Sequence, residues 1–402
     1  MSDLANPARP LRAVVLSGGG ARGAYEAGVL AYIFTKLPEK LRRRGRFRIF
    51  CGTSVGAVHA AYLASTAHAE QYNIAGLLRI WRGLKIHEAL RLDAPDLLRL
   101  PLEIGALLMN KPMQHGLILN SARLQQFVVR NVRWERIRRN IAAGEVEALT
   151  VSATHIASGH TAVFVDRRGG APLNWSRDSR VVAHTGAIGA LHVLASAATP
   201  FLFPPIAIDG RWYCDGGLRQ NTPLSAPLRL QADRVLIVHA GYENTAAENT
   251  ATETFPPPSV LLGKVLNALL LDRLPYDLAR MEGYNELLSG GAAAFGPGFI
   301  DKLNQTSERV RGAKYRPVET LMIRPSRDIG KLATDFLETH RKELGRGLNW
   351  FLGKIANRDR RGDSDLLSYL LFDGRFAERL IQLGMADAEA ARDKLAAFFD
   401  GD

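Results

Sequence analysis

The stretch VVLSGGGARGAYEAGVL, residues 14–30, places three consecutive glycines between an apolar run and a segment of small residues. Val14–Leu16 predicts a buried strand and the residues from Ala21 onward predict a helix, so the glycines lie at a strand-to-helix turn. Backbone N–H groups at such a turn are suited to bind a negative charge. That charge is either a phosphate or the oxyanion of a reacting ester.

The glycines also match the G-x-G-x-x-G spacing of a dinucleotide-binding turn, through Gly18, Gly20 and Gly23. A dinucleotide site requires an acidic residue at the end of the following strand, about 20 residues further on, to bind the ribose hydroxyl. The residues there run from Cys51 to Ser54, and none of them is acidic. The sequence therefore favours an oxyanion over a pyrophosphate.

A second motif, FCGTSVGAVHAAYLAS, carries Gly52, Ser54 and Gly56 in a G-x-S-x-G arrangement. It follows a predicted strand, Phe47–Cys51, and precedes a helix of small residues, which is the context of a nucleophile elbow. The flanking glycines remove the Cβ atoms that would crowd this turn, and the helix N-terminus directs partial positive charge at the site. Ser54 is therefore the candidate nucleophile.

A serine nucleophile requires a general base, and histidine is the usual one. The candidates are His59, His155, His160, His184, His192 and His239. None lies in a late turn marked by glycine or aspartate. Asp215, in RWYCDGGLRQNTPL, is the stronger candidate, because Gly216 and Gly217 let the chain turn tightly and leave the carboxylate at the tip. An ordinary Asp-Gly turn is the alternative interpretation.

Length and composition bound the class of protein. The chain has 402 residues, 47% of them hydrophobic and 23% charged, which is typical of a globular protein. No apolar signal core stands near the first residue and no run of about 18 apolar residues occurs, so we expect a cytoplasmic location. Cys51 and Cys214 are too few for a disulfide framework and are expected as buried core residues.

The formal net charge is +12, and arginines concentrate in two clusters, Leu41–Arg48 and Arg133–Asn140. A solvated, arginine-rich surface is one interpretation of these clusters. Peripheral attraction to an anionic membrane is the other. Nucleic acid is not favoured as a partner, because the clusters lack interleaved aromatic residues and no helix-turn-helix or zinc pattern accompanies them.

Strand-like runs alternate with helical patterns, which predicts an α/β fold with a largely parallel sheet. The predicted strands are Ala13–Leu16, Phe47–Cys51, Ala148–Thr154, Thr161–Val165, Ile206–Ile208, Arg234–His239 and Val318–Ser326. Two of them flank Ser158 and Gly159 and predict a hairpin, which would form an antiparallel edge. Gly241–Ser259 is polar and ends in prolines, so we expect a loop there.

We therefore expect a catalytic domain over residues 8–330, with the polar loop 241–259 and a helical excursion over 259–315 inside it. Residues 331–402 are expected to form a helical extension packed on the core. The apolar stretches Asp93–Pro112 and Ser259–Leu274 are interpreted as core packing, with an acyl-chain channel or a membrane-touching lid as the alternative.

Four blocks in this order, GGGARGAYEAGVL, GTSVGA, SAATPFLFPPI and DGGLRQNTPL, resemble the signature blocks of the patatin-like phospholipases. The resemblance implies a three-layer αβα fold and a serine–aspartate dyad without histidine. It implies that Ser54 is the nucleophile and Asp215 the base. The residues that it assigns to the oxyanion loop and its supporting arginine are Gly18, Gly19, Gly20 and Arg22. Ser17 departs from the family pattern, in which many members have glycine or aspartate.

The resemblance implies a lipid acyl hydrolase that forms an acyl-enzyme and needs no metal or organic cofactor. Phospholipid is the leading substrate class. Neutral glycerides, lysophospholipids and an intracellular polyester are the alternatives within ester chemistry, because the motifs leave the pocket undefined. A noncatalytic lipid-binding or regulatory protein of the same fold is the alternative outside it. The oligomeric state is left open.

Overall fold

A computed structural model describes residues 10–44, 46–69, 72–89, 126, 128–170, 175, 178–200, 202–242, 274–311, 314–341, 343 and 365–400. The strands are β1 (Arg12–Leu16), β2 (Ile49–Thr53), β3 (Ala148–His155), β4 (Thr161–Arg167), β5 (Val181–Thr185), β6 (Ile206–Ile208), β7 (Arg211–Asp215), β8 (Arg234–Val238) and β9 (Glu319–Ile323). The helices are α1 (Gly23–Thr35), α2 (Glu39–Arg44), α3 (Val55–Thr66), α4 (Ile74–Arg82), α5 (Ile86–Ala89), α6 (Trp134–Ala142), α7 (Ala190–Ser196), α8 (Ser225–Arg229), α9 (Leu274–Phe295), α10 (Phe299–Arg311), α11 (Ile329–His340), α12 (Asp365–Leu370), α13 (Gly374–Ala390) and α14 (Arg392–Asp400). Short 3-10 turns, Gly20–Arg22 and Gly216–Leu218, follow β1 and β7.

The strands form one mostly parallel sheet with the main order β5-β4-β3-β2-β1-β8-β9. Along this order, neighbours pair in parallel except for β3 and β4, which form an antiparallel hairpin. β7 pairs antiparallel with the end of β3, beyond the last residue of β2, and β6 pairs with β7. The carboxyl ends of β1, β2, β3 and β8 therefore meet at one edge of the sheet, where ligands bind in open α/β folds.

Helices cover both faces of this sheet. Val14 and Leu16 of β1 join a large apolar cluster that includes residues of α1, α3 and α13. Ala13 and Val15 project to the opposite face and pack in a second cluster with Met281 of α9. Successive side chains of a strand point to opposite faces, so each buried strand contributes to both clusters. The architecture is the three-layer αβα fold that the sequence predicts.

Most predicted strands are present with slightly different bounds. β2 begins at Ile49 rather than at Phe47, because its ladder with β1 starts where Ile49 lies opposite Ala13. Phe47 instead packs its ring against that of Phe399 in the C-terminal helix α14. Its apolar character thus serves helix packing and not the sheet.

β5 is not predicted from the sequence, because its residues are partly exposed along its whole length and lack a clear apolar pattern. β5 pairs in parallel with β4 and forms the edge of the sheet. The predicted hairpin is present and Gly159 adopts a φ of 64° in its turn. The expectation that it would form an edge was wrong, because β5 covers it.

The C-terminal helices pack on the sheet domain. α13 crosses α1 so closely that a Cβ at Gly28 would overlap the main-chain carbonyl of Ile381, and one at Gly384 would overlap that of Tyr25. The buried Arg12 at the start of β1 donates a hydrogen bond to a carbonyl in the last turn of α14. The end of the chain is thus attached to the amino ends of the strands.

Several predicted features fall outside the described residues. They are the loop beyond residue 242, the stretch Asp93–Pro112, and Ser259–Leu274 except for its last residue. Among the helices described, none has the length and apolarity needed to cross a bilayer.

Both cysteines are free thiols, and Cys51 is buried as predicted. Cys214 is only partly buried, because it shares a face of β7 with the exposed Trp212.

Candidate active site

Ser54 lies in the sharp turn between β2 and α3. Its φ of 55° and ψ of −125° are unusual for a residue with a side chain, as at strained catalytic turns. A Cβ at Gly52 would overlap the carbonyl of Gly56, and one at Gly56 would overlap that of Leu16. The two glycines of the motif are therefore required by packing. They let the helix start directly against the end of the strand.

A buried serine fixes the backbone of this turn. The Ser54 amide donates a hydrogen bond to Ser196 Oγ over 2.8 Å, and that hydroxyl donates to the Ser152 carbonyl over 2.6 Å. Ser196 ends α7, and Ser152 lies on β3. The turn is thus anchored to two further elements. Ser196 is the first residue of the block SAATPFLFPPI, and the sequence alone predicted no role for it.

The structure brings Ser54 and Asp215 into contact. Ser54 Oγ donates a hydrogen bond to Asp215 Oδ2 over 3.0 Å, and both residues are buried. Asp215 is the last residue of β7, where it lies opposite Ala153 of β3. Its amide donates to the Ala198 carbonyl over 3.0 Å, and its carbonyl accepts from Thr154 Oγ1 over 2.9 Å. Main-chain pairing thus holds the carboxylate in place, 161 residues along the chain from the serine.

Two further donors serve the carboxylate of Asp215. Oδ1 accepts from the Gly217 amide over 2.8 Å, and Oδ2 accepts from Thr199 Oγ1 over 2.6 Å. Burial raises the pKa of Asp215, and the hydrogen bonds from Thr199, Gly217 and Ser54 lower it in part. The buried carboxylate is therefore more basic than one in water. Gly216 has a packing role, since a Cβ there would overlap the Ser152 carbonyl.

The glycine loop after β1 lies against Ser54, and the structure distinguishes its three amides. The Gly18 amide donates to the Asn221 carbonyl over 3.2 Å, and Asn221 Nδ2 donates back to the Gly18 carbonyl over 3.2 Å. The assignment of Gly18 as an oxyanion donor therefore needs correction, because its N–H is already used. Among the described residues, the amides of Gly19 and Gly20 have no acceptor. Gly20 has a φ of 55°, which favours glycine.

Arg22 points away from the dyad and towards the C-terminal helices. Its Nε donates to Ser368 Oγ over 2.7 Å, and its guanidinium carbon lies 4.1 Å from the centroid of the Tyr369 ring. A Cβ at Gly20 would come close to the Tyr369 carbonyl. Helix α12 thus packs directly on the glycine loop, and Arg22 attaches one to the other.

A buried polar network begins at Ser17, the residue before the three glycines of the loop. Ser17 Oγ accepts from the Ala240 amide over 3.0 Å and donates to Glu26 Oε1 over 3.1 Å. Glu26 Oε2 lies 2.9 Å from His59 Nδ1, and Trp81 Nε1 donates to His59 Nε2 over 2.9 Å. Because an indole only donates, His59 Nε2 is an acceptor and Nδ1 carries the proton, so the imidazole is neutral. Ser17, the departure from the family pattern, therefore has a structural partner.

None of the other candidate histidines in the described residues bonds to Ser54 or Asp215. His155 Nδ1 contacts Ser158, and His239 Nδ1 lies 3.3 Å from Thr222 Oγ1. Burial lowers the pKa of His239 to about 4, so it is neutral at pH 7. His184 and His192 line a cavity of about 520 Å³ at the other end of α7. His160 lies in the β3–β4 turn, where its main-chain amide donates to Ser158 Oγ.

Within the described residues, no group of three His, Cys, Asp or Glu side chains could hold a metal ion.

Comparisons with known proteins show which family the chain matches. The family model described as patatin-like phospholipase matches residues 14–228. Solved structures that match the chain include VipD from Legionella pneumophila, at 13% identity, with 96% of this chain and 67% of that chain covered and a TM-score of 0.39. Human GIVD cytosolic phospholipase A2 matches at 12% identity, with 97% of this chain and 60% of that chain covered and a TM-score of 0.45.

A third solved structure is the ExoU–SpcU complex of the Pseudomonas aeruginosa type III secretion system, at 16% identity, with 96% of this chain and 76% of that chain covered and a TM-score of 0.29. No curated protein sequence matches this chain. The chain spans only 60% of the human enzyme. The family model, in contrast, covers more than half of the 402 residues and includes the serine turn, the glycine loop and the aspartate. The protein is therefore a member of the patatin-like phospholipase family.

Proposed function

We propose that this protein is a serine hydrolase that cleaves carboxylic ester bonds of lipids through a Ser54–Asp215 dyad. The observation that carries the proposal is the 3.0 Å hydrogen bond from Ser54 Oγ to Asp215 Oδ2, made by a serine in a strained strand-to-helix turn. A serine with that backbone and that partner is arranged as an activated nucleophile.

In the acylation step, Ser54 Oγ attacks the ester carbonyl carbon while its proton moves to Asp215 Oδ2. Proton transfer and attack are nearly concerted, because a serine hydroxyl is a far weaker acid than a carboxylic acid. The carbonyl oxygen becomes an oxyanion, which the amides of Gly19 and Gly20 stabilise. One such donor is typically worth about 10²–10³-fold in rate. The ester C–O bond then breaks, and Asp215 gives its proton to the leaving alcohol.

In the deacylation step, water attacks the acyl-enzyme and transfers a proton to Asp215. Collapse of the second tetrahedral intermediate breaks the bond between Ser54 Oγ and the acyl carbon, and the proton returns to Ser54. The fatty acid leaves, and the dyad is restored. The raised pKa of Asp215 favours both transfers, because it narrows the gap in acidity between the carboxylic acid and the hydroxyl groups that it serves.

Membership of the family supports a lipid ester as the substrate, with phospholipid as the leading class. Neutral glycerides, lysophospholipids and an intracellular polyester are alternatives with the same bond chemistry. The residues of the dyad act on the ester group alone, so they do not select among these classes.

The test is labelling with a fluorophosphonate, followed by lipid profiling of the wild type and of Ser54→Ala. We expect the label on the wild type only, and loss of lipid hydrolysis by several orders of magnitude in the variant. Ser152→Ala is the matched control, because the hydroxyl of this buried serine has no hydrogen-bond partner in the described residues. Labelling that persists in Ser54→Ala would contradict the proposal. A wild type that binds lipid vesicles but reacts with neither reagent nor ester would favour a noncatalytic lipid-binding protein.

A further inference from the structure

The edge of the sheet that carries Ser54 also carries an exposed apolar pair, Ile156 and Trp212. Their side chains are 47% and 55% exposed. The Ile156 amide donates to the Trp212 carbonyl over 2.9 Å, which continues the antiparallel pairing of β3 with β7. Residues opposite each other in such a pair project to the same face, so the two side chains form one surface. We call it the Trp212 patch.

The Trp212 patch lies beyond the dyad in the direction in which the strands run. Ser152 of β3 lies opposite Thr53, the last residue of β2. Ile156, the residue after β3, is four residues further along the chain, and Ser54 is one residue past Thr53. At about 3.3 Å per residue, the patch lies about 10 Å beyond the nucleophile in the strand direction, on the face of the sheet opposite the Asp215 side chain.

One exposed arginine, Arg219, lies beside the patch. Its guanidinium lies beside Gly159 in the β3–β4 turn that contains Ile156. Arg211, which precedes Trp212 in β7, projects to the opposite face and lines the cavity with His184 and His192. Arg219 forms no ion pair with a carboxylate in the part of the chain that the structure describes, so its charge is available to an external anion.

The Leu41–Arg48 cluster differs from the Trp212 patch in its charge pairing and in its position. Arg46 and Arg48 form ion pairs with Glu145 and Glu147. The Arg48 amide bonds to the Arg12 carbonyl at the start of β1, which is the edge of the sheet opposite Ser54. A membrane bound to the Leu41–Arg48 cluster would lie at the wrong end to supply substrate to the dyad.

We infer that the Trp212 patch is the membrane-docking surface of the protein and that its partner is an anionic phospholipid bilayer. A tryptophan and an aliphatic side chain next to an unpaired arginine match the boundary between acyl chains and charged headgroups. The inference rests on the proposed lipid hydrolase function, because docking at this edge brings the ester bonds of the bilayer towards Ser54.

The test compares vesicle binding with hydrolysis of a soluble short-chain ester in the full-length protein. The apolar variant is Ile156→Ser with Trp212→Ser, and its control is Leu287→Ser. Leu287 is 70% exposed on α9. The nearby Asn285 bonds to Val318 just before β9, at the amino ends of the strands and away from Ser54. We expect the double variant to bind phosphatidylcholine–phosphatidylglycerol vesicles at least about tenfold more weakly. Leu287→Ser should bind like the wild type, and all should hydrolyse the soluble ester equally.

The charge variant is Arg219→Gln. Its controls are Arg43→Gln and Arg139→Gln, one exposed arginine from each cluster and each paired with a glutamate one turn away. Only Arg219→Gln should reduce binding to the anionic vesicles. It should leave binding to phosphatidylcholine alone unchanged, and salt should remove the difference, since the Debye length falls from about 10 Å at 0.1 M to about 3 Å at 1 M.

If the soluble ester is still hydrolysed, equal vesicle binding by the wild type and the Ile156→Ser, Trp212→Ser variant would overturn the proposed docking surface. Absence of soluble-ester hydrolysis in the wild type would instead refute the proposed function. An oligomer of the wild type that this variant dissociates, with vesicle binding unaffected, would identify the patch as a contact with a second copy and also overturn the inference.

Discussion

At the residue scale, the site depends on a carboxylate whose environment makes it basic enough to activate an alcohol. Asp215 is buried, and its Oδ2 receives hydrogen bonds from both Ser54 and Thr199. Burial raises its pKa and these donors limit the rise. Each donor therefore adjusts the basicity of the group as well as its position.

Thr199→Val should move the acidic limb of the kcat/KM profile to higher pH. The change keeps the shape of the side chain but removes a hydrogen bond that lowers the pKa of Asp215. The measurement is the pH dependence of ester hydrolysis. Thr154→Val is the control, since Thr154 bonds to the main-chain carbonyl of Asp215 and should leave the limb in place.

Asp215→Asn should abolish hydrolysis and change how stability depends on pH. A buried aspartate with a raised pKa is most favourable to folding when protonated, so its contribution is lost as the pH rises from about 3.9 through the raised value. The variant lacks this loss, so its stability relative to the wild type should increase from acidic to neutral pH. Denaturant unfolding at several pH values measures this. A difference that is constant with pH would contradict it.

At the element scale, two helix contacts hold the glycine loop. Helix α12 lies against it through Arg22 and Tyr369, and α13 crosses α1, the helix that the loop begins. The network of Ser17, Glu26 and His59 joins the loop to α3. The loop is therefore held by α12, and the helix that follows the loop, α1, is held by α13 and α3.

Gly384→Ala should destabilise the protein by about 1–3 kcal/mol, because its Cβ would overlap a main-chain carbonyl of α1 that cannot rotate away. Gly283→Ala is the matched control. Gly283 lies within α9, and a Cβ there meets nothing within 4 Å. It should stabilise the protein by up to about 1 kcal/mol through helix propensity. Denaturant unfolding compares the two, and equal effects would contradict the close packing of α1 and α13.

His59→Ala should destabilise the protein by about 1–3 kcal/mol, because it leaves Oε2 of the buried Glu26 without its hydrogen-bond donor. His59→Gln should restore most of the loss, because an amide can donate to Glu26 and accept from Trp81. The folded His59→Gln protein should hydrolyse ester at a rate close to that of the wild type. If this variant folds but loses as much activity as Ser54→Ala, the histidine-free mechanism is wrong.

At the scale of the whole molecule, the C-terminal helices share the core of the sheet domain. Phe376, Leu380 and Phe399 lie in the same apolar cluster as Val14 and Leu16 of β1. We therefore expect the extension over residues 331–402 to depend on this shared core.

The full chain should unfold in a single cooperative transition, with near-UV and far-UV circular dichroism giving the same midpoint. A chain that stops at residue 364 should be insoluble or largely unfolded. Removal of α12, α13 and α14 would expose the face of α1 that packs on α13. It would also leave the buried guanidinium of Arg12 without its acceptor in α14. A soluble truncated protein with a native-like transition would show that the extension is an independent unit.

The sequence by itself determined the features that depend on neighbours along the chain. The apolar runs predicted β1, β2, β3, β4 and β8, which are mostly buried, and also the apolar strands β6 and β9, which are partly exposed. The spacing of Gly52, Ser54 and Gly56 predicted the elbow, because a turn that close to a strand and a helix leaves no room for Cβ atoms. β5 escaped prediction because an edge strand is half exposed and carries no such pattern.

The tertiary structure alone decided which groups meet. Thr199 and Asn221 lie in quoted blocks, yet nothing local shows that one bonds to the Asp215 carboxylate and the other occupies the Gly18 amide. Pairing of β7 with β3 brings Asp215 to Ser54, and the sheet direction separates Arg48 from the site. These are contacts between residues far apart in the chain, and they set burial, pKa and free charge, which no local pattern records.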